Sequence, residues 1–571
     1  MGEQPVAVAL GDLRAALLDV RLPLALPGRD AVQTLVRAHV TQLDDYILPR
    51  LSREDAPVLA VVSGSTGSGK STLVNSIVGR PISAAGVIRP TTLSPVLVHN
   101  PADAAWFTSG TILPGLARSV RPVGDPHTIQ LVGDAALPPG LAFVDAPDID
   151  SVVVENRALA TQLLAAADLW MFVTSAARYA DAVPWDFLRG ASEREAVVAV
   201  VLDRVPEAAQ GVVPDDLRRM MAERGLGAAP LFVVPETTLD RAGLLPPPLV
   251  EPIRTWLADL ARDAQARARV VAQTLGGAVD ALARGVASVA DAVEAQSEAV
   301  EGLRADAAII YREQIVHVAS QTANGVLMRG EVLARWQDFV GTGEFFRAVE
   351  QRIGLLRDRV AGALRGEPKQ VLDVQVAVET GLDVLIREAA DQAARRVWAA
   401  WDATPGGREL LTKDLGRSSP GLADATARMI RTWQDDVLAL VTETGASKRT
   451  QARFLALGVN GVGVALMILI FSQTGGLLGA EIGVAGGTAV LAQRLLEAVF
   501  GEDAVRQLAK QAKRDLDARV EGLLAEELSR YLTLLDQLEL HADAAAAIRA
   551  ALARVAAARA AMARPEESPD A

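Results

Sequence analysis

Residues 61–80 read VVSGSTGSGKSTLVNSIVGR. An apolar lead-in over 58–62 runs into Gly64, Ser65, Thr66, Gly67, Ser68, Gly69, Lys70, Ser71 and Thr72. This is the pattern G-x-x-x-x-G-K-[ST], a loop that cradles phosphates. Its glycines let backbone N–H groups turn inward, and the helix that follows adds its positive N-terminus. The pattern predicts that Lys70 reaches the β- and γ-phosphates and that the Ser71 hydroxyl binds Mg²⁺. ATP-driven transporters and GTP-driven switches both carry such a loop, so the loop alone leaves the base open.

Outward from this stretch, short apolar runs alternate with helical segments. The runs are 58–62, 96–99, 141–144, 169–173, 197–202 and 231–234. Strands alternating with helices predict an α/β P-loop domain with a mainly parallel sheet. The Pro-rich stretch at 246–248 closes it. Before it, residues 1–52 read as N-terminal helices, interrupted by Pro23 and Pro27 and joining a helical bundle. After it, 249–452 is helix-forming throughout. In the tail, Val505, Leu508, Ala512, Leu516, Val520, Leu523, Leu528, Tyr531, Leu535 and Leu538 form one apolar stripe on a long returning helix. A helix with one such face packs on other helices. The expected division is 1–52, a phosphate-binding domain over 53–248, a bundle over 249–452, a membrane hairpin over 453–500, and a returning helix with tail over 501–565.

The hairpin expectation rests on residues 454–480, FLALGVNGVGVALMILIFSQTGGLLGA, which carry no charge. About 20 apolar residues cross a bilayer as a helix. Lys448, Arg449 and Arg453 precede the run and suit a cytoplasmic entry side. The return arm, 477–499, is weakened by Glu481, Arg494 and Glu497. The competing reading is a buried hairpin at the centre of a water-exposed bundle.

Composition removes several function classes. The chain has 571 residues, 50% of them hydrophobic, and a formal net charge of -13. That balance argues against a nucleic-acid binder, which shows a basic surface, and against broad adhesion to anionic lipid. With no cysteine there are no disulfides and no thiolate metal sites. The five histidines are scattered without metal-ligand spacing. The first residues carry early acids and no basic n-region, so no secretory signal is expected.

A phosphate loop needs an acid on the metal side, at the end of a strand. The run 141–144 supplies it in Asp145, placed to hold a Mg²⁺-bound water. Transporter ATPases put a glutamate directly after this aspartate; here it is Ala146, and no LSGGQ-like signature occurs. Five stretches carry a family resemblance. KSTLVNSIVG at 70–79 looks like the KSTLxNxLxG run of small bacterial GTPases. RPTTLSP at 89–95 looks like switch I, DAPDIDS at 145–151 like a DLPDxDS form of switch II, and RYADA at 178–182 with WQDFVGTG at 336–343 like an actinobacterial branch. Together the chain resembles the bacterial dynamin-like P-loop GTPases.

The resemblance implies GTP as substrate, Mg²⁺ as cofactor, and a lipid bilayer with a homodimeric or related GTPase partner. It further implies a GTPase domain and bundle on the cytoplasmic side of the cytoplasmic membrane, with membrane remodelling, in division or septation, as the process. Thr92, or Thr91, is the switch I residue that completes the Mg²⁺ shell beside Ser71 and Asp145. The switch II glycine is replaced by Asp148; for Asp148 and Asp150 the alternative is turn formation and helix capping. The guanine reader [NT]KxD is replaced by Asp203-Arg204-Val205-Pro206. The Arg204 stem can lie on a base as the usual lysine does, but Pro206 offers no side-chain acceptor, and Glu207 is the one acid that a one-residue shift brings in. Trp336, Phe339, Phe345 and Phe346 read either as a lipid or partner contact or as bundle core. A nucleotide-binding scaffold with little turnover, or an ATPase partner of a transporter, are the competing functions.

Overall fold

The computed structural model describes residues 4–52, 56–83, 94–110, 112–151, 153–324, 334–335, 369–444, 459–472 and 484–563. The chain divides into two compact units. One holds residues 1–22, 28–295 and 541–571; the other holds 23–27 and 296–540.

The first unit is built on an eight-stranded sheet. Three helices precede it: α1 (Gln4–Leu18), α2 (Arg29–Gln42) and α3 (Leu48–Ser52). Then follow β1 (Val58–Gly64), α4 (Lys70–Val78), β2 (Val96–His99), α5 (Ala104–Thr108), β3 (Ala117–Ser119), β4 (Thr128–Gly133) and β5 (Leu141–Asp145). The series continues with α6 (Val154–Ala165), β6 (Leu169–Ser175), α7 (Ala182–Glu193), β7 (Val197–Val205), α8 (Val213–Glu223), β8 (Leu231–Pro235) and α9 (Pro247–Arg262). The strand order is β3-β4-β2-β5-β1-β6-β7-β8, and every pairing is parallel except β2 with β5. The mainly parallel α/β sheet read from the alternating runs is therefore present.

All seven residues of β1 are buried, which explains why it reads as a continuous apolar run: a strand covered on both faces has no polar side. Val58, Ala60 and Val62 pack with Leu73, Val74 and Ile77 of α4 and Val250, Ile253 and Leu257 of α9. Leu59 and Val61 face the other way, among Leu159 and Leu163 of α6 and Leu188 of α7. The base of the sheet is tied by buried polar bonds. Arg50 donates to the Pro57 carbonyl at 2.6 Å and pairs with Asp168, while the Leu59 N–H donates to Asp168 at 2.7 Å. These bonds fix where β1 starts, and so where it delivers the residues after Gly64.

The second unit is helical. The 60-residue α10 (Ala264–Ala323) supplies residues to both units. It is followed by α11 (Lys369–Asp402), α12 (Leu422–Thr444), α13 (Val459–Ser472), α14 (Val484–Phe500) and α15 (Glu502–Asp536), and α16 (Ala544–Ala563) ends the first unit. Val505, Leu508, Ala512, Leu516, Val520, Leu524, Tyr531 and Leu535 of α15 lie in one apolar core with α11, α12 and α13, as the stripe predicts.

The membrane hairpin is corrected over its described part. Residues 461–471 of α13 are buried on every side, within the same core as Ile430, Trp433 and Val437 of α12 and Leu516 of α15. Gly463 makes this possible: a Cβ there would lie 2.3 Å from Leu438 of α12. The return arm α14 is two-sided, with Ala492, Leu495, Leu496 and Val499 buried and Gln493 and Arg494 exposed. Among the described residues no helix is long and apolar enough to cross a membrane. The physical reason is that a helix apolar all round is equally suited to a bundle centre or to lipid. Residues 453–458 and 473–483 of that segment lie outside the described residues, as do Trp336, Phe339, Phe345 and Phe346.

Candidate nucleotide site

The loop 64–69 leaves the C-terminal end of β1, between β5 and β6, where open parallel sheets bind ligands. Its glycines are required by two separate constraints. Gly64 has φ +154°, and a Cβ there would meet the Val173 carbonyl oxygen at 2.0 Å. Gly69 has φ +96°, and its Cβ would lie 2.2 Å from the Asp203 carboxylate. Backbone freedom and close approach both exclude a side chain. Lys70 to Val78 then form α4, so the Lys70, Ser71 and Thr72 backbones lie on its first turn.

Lys70 is 6% exposed, and its Nζ donates to the carbonyls of Gly64 at 3.1 Å and Ser65 at 3.0 Å and pairs with Asp148. Ser71 Oγ donates to Asp145 at 2.7 Å, and Ser83 Oγ donates to the same carboxylate oxygen at 2.5 Å. Burial pushes the Asp145 carboxyl up from its ordinary range, against the hydrogen bonds from the two serines. Its other oxygen, Oδ1, is buried without a partner among the described residues, as are Ser65 Oγ and Ser68 Oγ. Buried polar atoms are nearly always bonded, so a cluster of such atoms in one loop marks a place where an outside partner fits. The donor set suits Mg²⁺: one hydroxyl and one carboxylate, the rest of the shell coming from phosphates and water. Among the described residues no three His, Asp or Glu side chains come together to hold a metal by themselves. Thr91 and Thr92 lie outside the described residues.

The stretch read from the sequence as switch II is bonded to the loop at three successive residues, 148–150. Asp148 takes Lys70, the Ile149 N–H donates to the Gly64 carbonyl at 3.4 Å, and Asp150 accepts from the Thr66 N–H at 2.6 Å and the Thr66 hydroxyl at 2.7 Å. Neither Asp148 nor Asp150 caps α6, whose cap is Val153 without a side-chain bond. Burial opposes ionisation of Asp150, but the bonds from Thr66 and Arg178 outweigh it and hold its carboxyl below the ordinary range. Ala146 is buried, and its N–H donates to the Val62 carbonyl at 3.1 Å, so the position where a transporter ATPase carries its glutamate is sealed backbone.

Three contributors escaped the sequence reading. Arg178, in the turn after β6, donates to the Thr66 carbonyl at 2.9 Å and pairs with Asp150 and Asp181, each at 2.8 Å. Asn75 accepts from the N–H groups of Ile82 and Ser83 and donates to the Ser83 carbonyl, all at 2.8–2.9 Å. It pins residues 82–83 and so delivers Ser83 to Asp145. Asn75 stood in the sequence only as a motif letter, and Arg178 only as part of RYADA; neither gave a signal of its contact. Ser83 gave none at all.

At the position where the sequence reading placed the base reader, Asp203 lies near the end of β7, opposite Ser175 and against Gly69. It is 7% exposed, and its Oδ1 has no partner among the described residues. Burial, partly countered by Arg204 nearby, pushes its carboxyl up to about 6. Arg204 adopts φ 53° and is half exposed, 3.7 Å from Asp203, while Glu207 is exposed on the turn that follows Pro206.

No family model matches the sequence. No curated protein matches it. Solved structures similar to it include a bacterial dynamin from an oligomerised pair described in the long-range sensing and tethering of membranes. It has 11% sequence identity over 68% of this chain and 75% of that chain, with a TM-score of 0.28. A second structure of such a pair has 11% identity over 70% and 76%, TM-score 0.25. LeoA, a bacterial dynamin GTPase from ETEC, has 13% identity over 98% and 97%, TM-score 0.22.

Proposed function

We propose that the chain is a Mg²⁺-dependent nucleoside triphosphatase of the GTPase-switch kind. The observation that carries the reading is the bonding of switch II to the phosphate loop at residues 148, 149 and 150. A phosphate oxygen that takes the Lys70 donor now held by Asp148 competes with the first of those bonds, and so bears on the stretch that leads to α6. Phosphoryl transfer needs positioning and charge stabilisation more than a covalent group. The loop N–H groups and the N-terminus of α4 orient the phosphates, and Lys70 neutralises the charge that develops on them. Ser71 and Asp145 would hold Mg²⁺, which when bound neutralises the β- and γ-oxygens. Asp150 is held by Arg178 and by Thr66, so it is not free to act as a general base.

The motif resemblance makes GTP the proposed nucleotide. It also makes a second copy of this chain or a related GTPase the proposed partner, and a lipid bilayer the surface of work; residues 461–471 are not proposed as its anchor. A second reading, a nucleotide-binding scaffold with little turnover, is favoured by Pro206 at the base-reading position. Steady-state turnover of GTP and ATP with Mg²⁺, with and without liposomes, separates the two. Turnover of GTP above ATP is expected, falling about 10²–10³-fold in Lys70→Ala. Turnover indifferent to Lys70→Ala removes the enzymatic reading.

A further inference from the structure

We propose that Asp148 is a built-in competitor for the terminal phosphate, setting the affinity of the loop for triphosphate. The inference rests on the nucleotide-binding reading above. An ammonium group has three N–H donors and no more. Those of Lys70 go to the Gly64 carbonyl at 3.1 Å, the Ser65 carbonyl at 3.0 Å and the Asp148 carboxylate. The two carbonyls belong to the loop itself, so the third donor is the one a phosphate oxygen needs.

The position of Asp148 is not an accident of a loose side chain. On its C-terminal side, Ile149 and Asp150 are both bonded to the loop, to Gly64 and Thr66. They hold the carboxylate against Lys70 at a place where the side chain is only a quarter exposed. Binding a triphosphate then becomes an exchange of one anion for another on Lys70, with the displaced carboxylate left beside the phosphate. Both the lost ion pair and the like-charge proximity work against binding. The neighbouring Ser65 and Ser68 hydroxyls, buried without partners among the described residues, are not part of this competition and remain available to the incoming ligand. A glycine at position 148 would leave Lys70 with a vacant donor; an aspartate makes the loop respond only when enough triphosphate is present to win the exchange.

The test is calorimetric titration of the full chain with the non-hydrolysable GTP analogue GMPPNP and Mg²⁺. Asp148→Asn keeps size and an acceptor oxygen but removes the charge, and is expected to bind about tenfold more tightly. Asp148→Ser, smaller and compatible with a turn, is expected to do the same. In a Lys70→Ala background the gain from Asp148→Asn should vanish, since no contested donor remains. Equal or weaker binding by both Asp148 variants, where the unaltered chain binds and Lys70→Ala weakens it, overturns the competitor role and leaves the nucleotide reading standing. Loss of cooperative melting in both variants also overturns it, because Asp148 would then be a structural residue. If Lys70→Ala leaves binding unchanged in every background, the nucleotide reading itself fails.

Discussion

Two buried regions of this chain contrast sharply in chemistry. Around the phosphate loop, Lys70, Asp145 and Asp203 are each under 10% exposed, and Asp148 and Asp150 stand beside them. Several polar atoms there (Asp145 Oδ1, Asp203 Oδ1, Ser65 Oγ and Ser68 Oγ) have no partner among the described residues. Around α13, residues 461–471 are equally buried and carry no ionisable group. Trp433 packs on Phe471 with ring centroids 5.8 Å apart, and its indole N–H donates to the Ala512 carbonyl at 3.0 Å. Burial is common to both regions; buried ionisable groups belong to the phosphate loop and are absent from residues 461–471. Burying ionisable groups is expensive unless something else needs them there. That distinguishes a site from a core more surely than hydropathy does.

The largest test of this contrast lies in the apolar region. Phe471→Ala removes a side chain that is 1% exposed in the centre of the helical unit. It should cost about 3–5 kcal/mol, read as a lowered melting temperature of the purified protein. An unchanged melting temperature would mean that Phe471 is not in the core, and would reopen the question of what covers α13.

That question also shows where sequence stops being informative. The uncharged run at 454–472 established only that its helix avoids water. Lipid and a bundle interior are both apolar, and only the tertiary partners, Trp433, Leu438 and Leu516, distinguish them. The phosphate loop was legible because it is local: Gly64 and Gly69 are dictated by backbone geometry, and Lys70 and Ser71 by ligand chemistry. The acids that grip it were not. Asp148 and Asp150 have the composition of a turn and cap, and their contacts with Lys70 and Thr66 span some 80 residues of chain. Asn75 was visible as a letter of a family pattern, while its task of holding Ile82 and Ser83 depends on how the chain returns past α4.

A smaller effect tests whether Asp203 is a strained member of the polar region. Its carboxyl titrates at about 6 in the fold, above the ordinary 3.8, because burial disfavours the charged form. The unfolded chain therefore loses its proton first as pH rises. Stability contributed at this position is greatest below about pH 4, declines between about 4 and 6, and stays reduced above 6. Asp203→Asn removes the titration and should stabilise the protein at pH 7 by about 2 kcal/mol, from a shift of roughly two units at about 1.4 kcal/mol each, discounted for relaxation. Chemical denaturation at pH 7 and pH 4 checks it: the gain should be present at the first and absent at the second. A gain that is the same at both pH values would assign it to packing rather than to charge.

The smallest effect compares two arginines that make the same kind of fork in the two regions. Arg178 joins the Thr66 carbonyl to Asp150 and Asp181. Arg530, in α15, joins the carbonyls of Arg417 and Asp414, at 3.0 and 2.8 Å, to Glu527 at 2.8 Å. Both guanidinium groups reach three acceptors through a planar, widely spread fork, a geometry that the compact ammonium of a lysine does not reproduce. If the fork near the loop serves to keep switch II in register with Thr66, Arg178→Lys should lower kcat about tenfold, roughly 1.4 kcal/mol of barrier, with little change in KM. Arg530→Lys makes an equivalent chemical change where no reacting group is near, and should lower the melting temperature while leaving kcat unaltered. Turnover falling equally in both variants would show that the two forks act through stability alone. A rise in KM without a fall in kcat for Arg178→Lys would mean that the fork shapes the phosphate loop for binding and does not govern the step that follows.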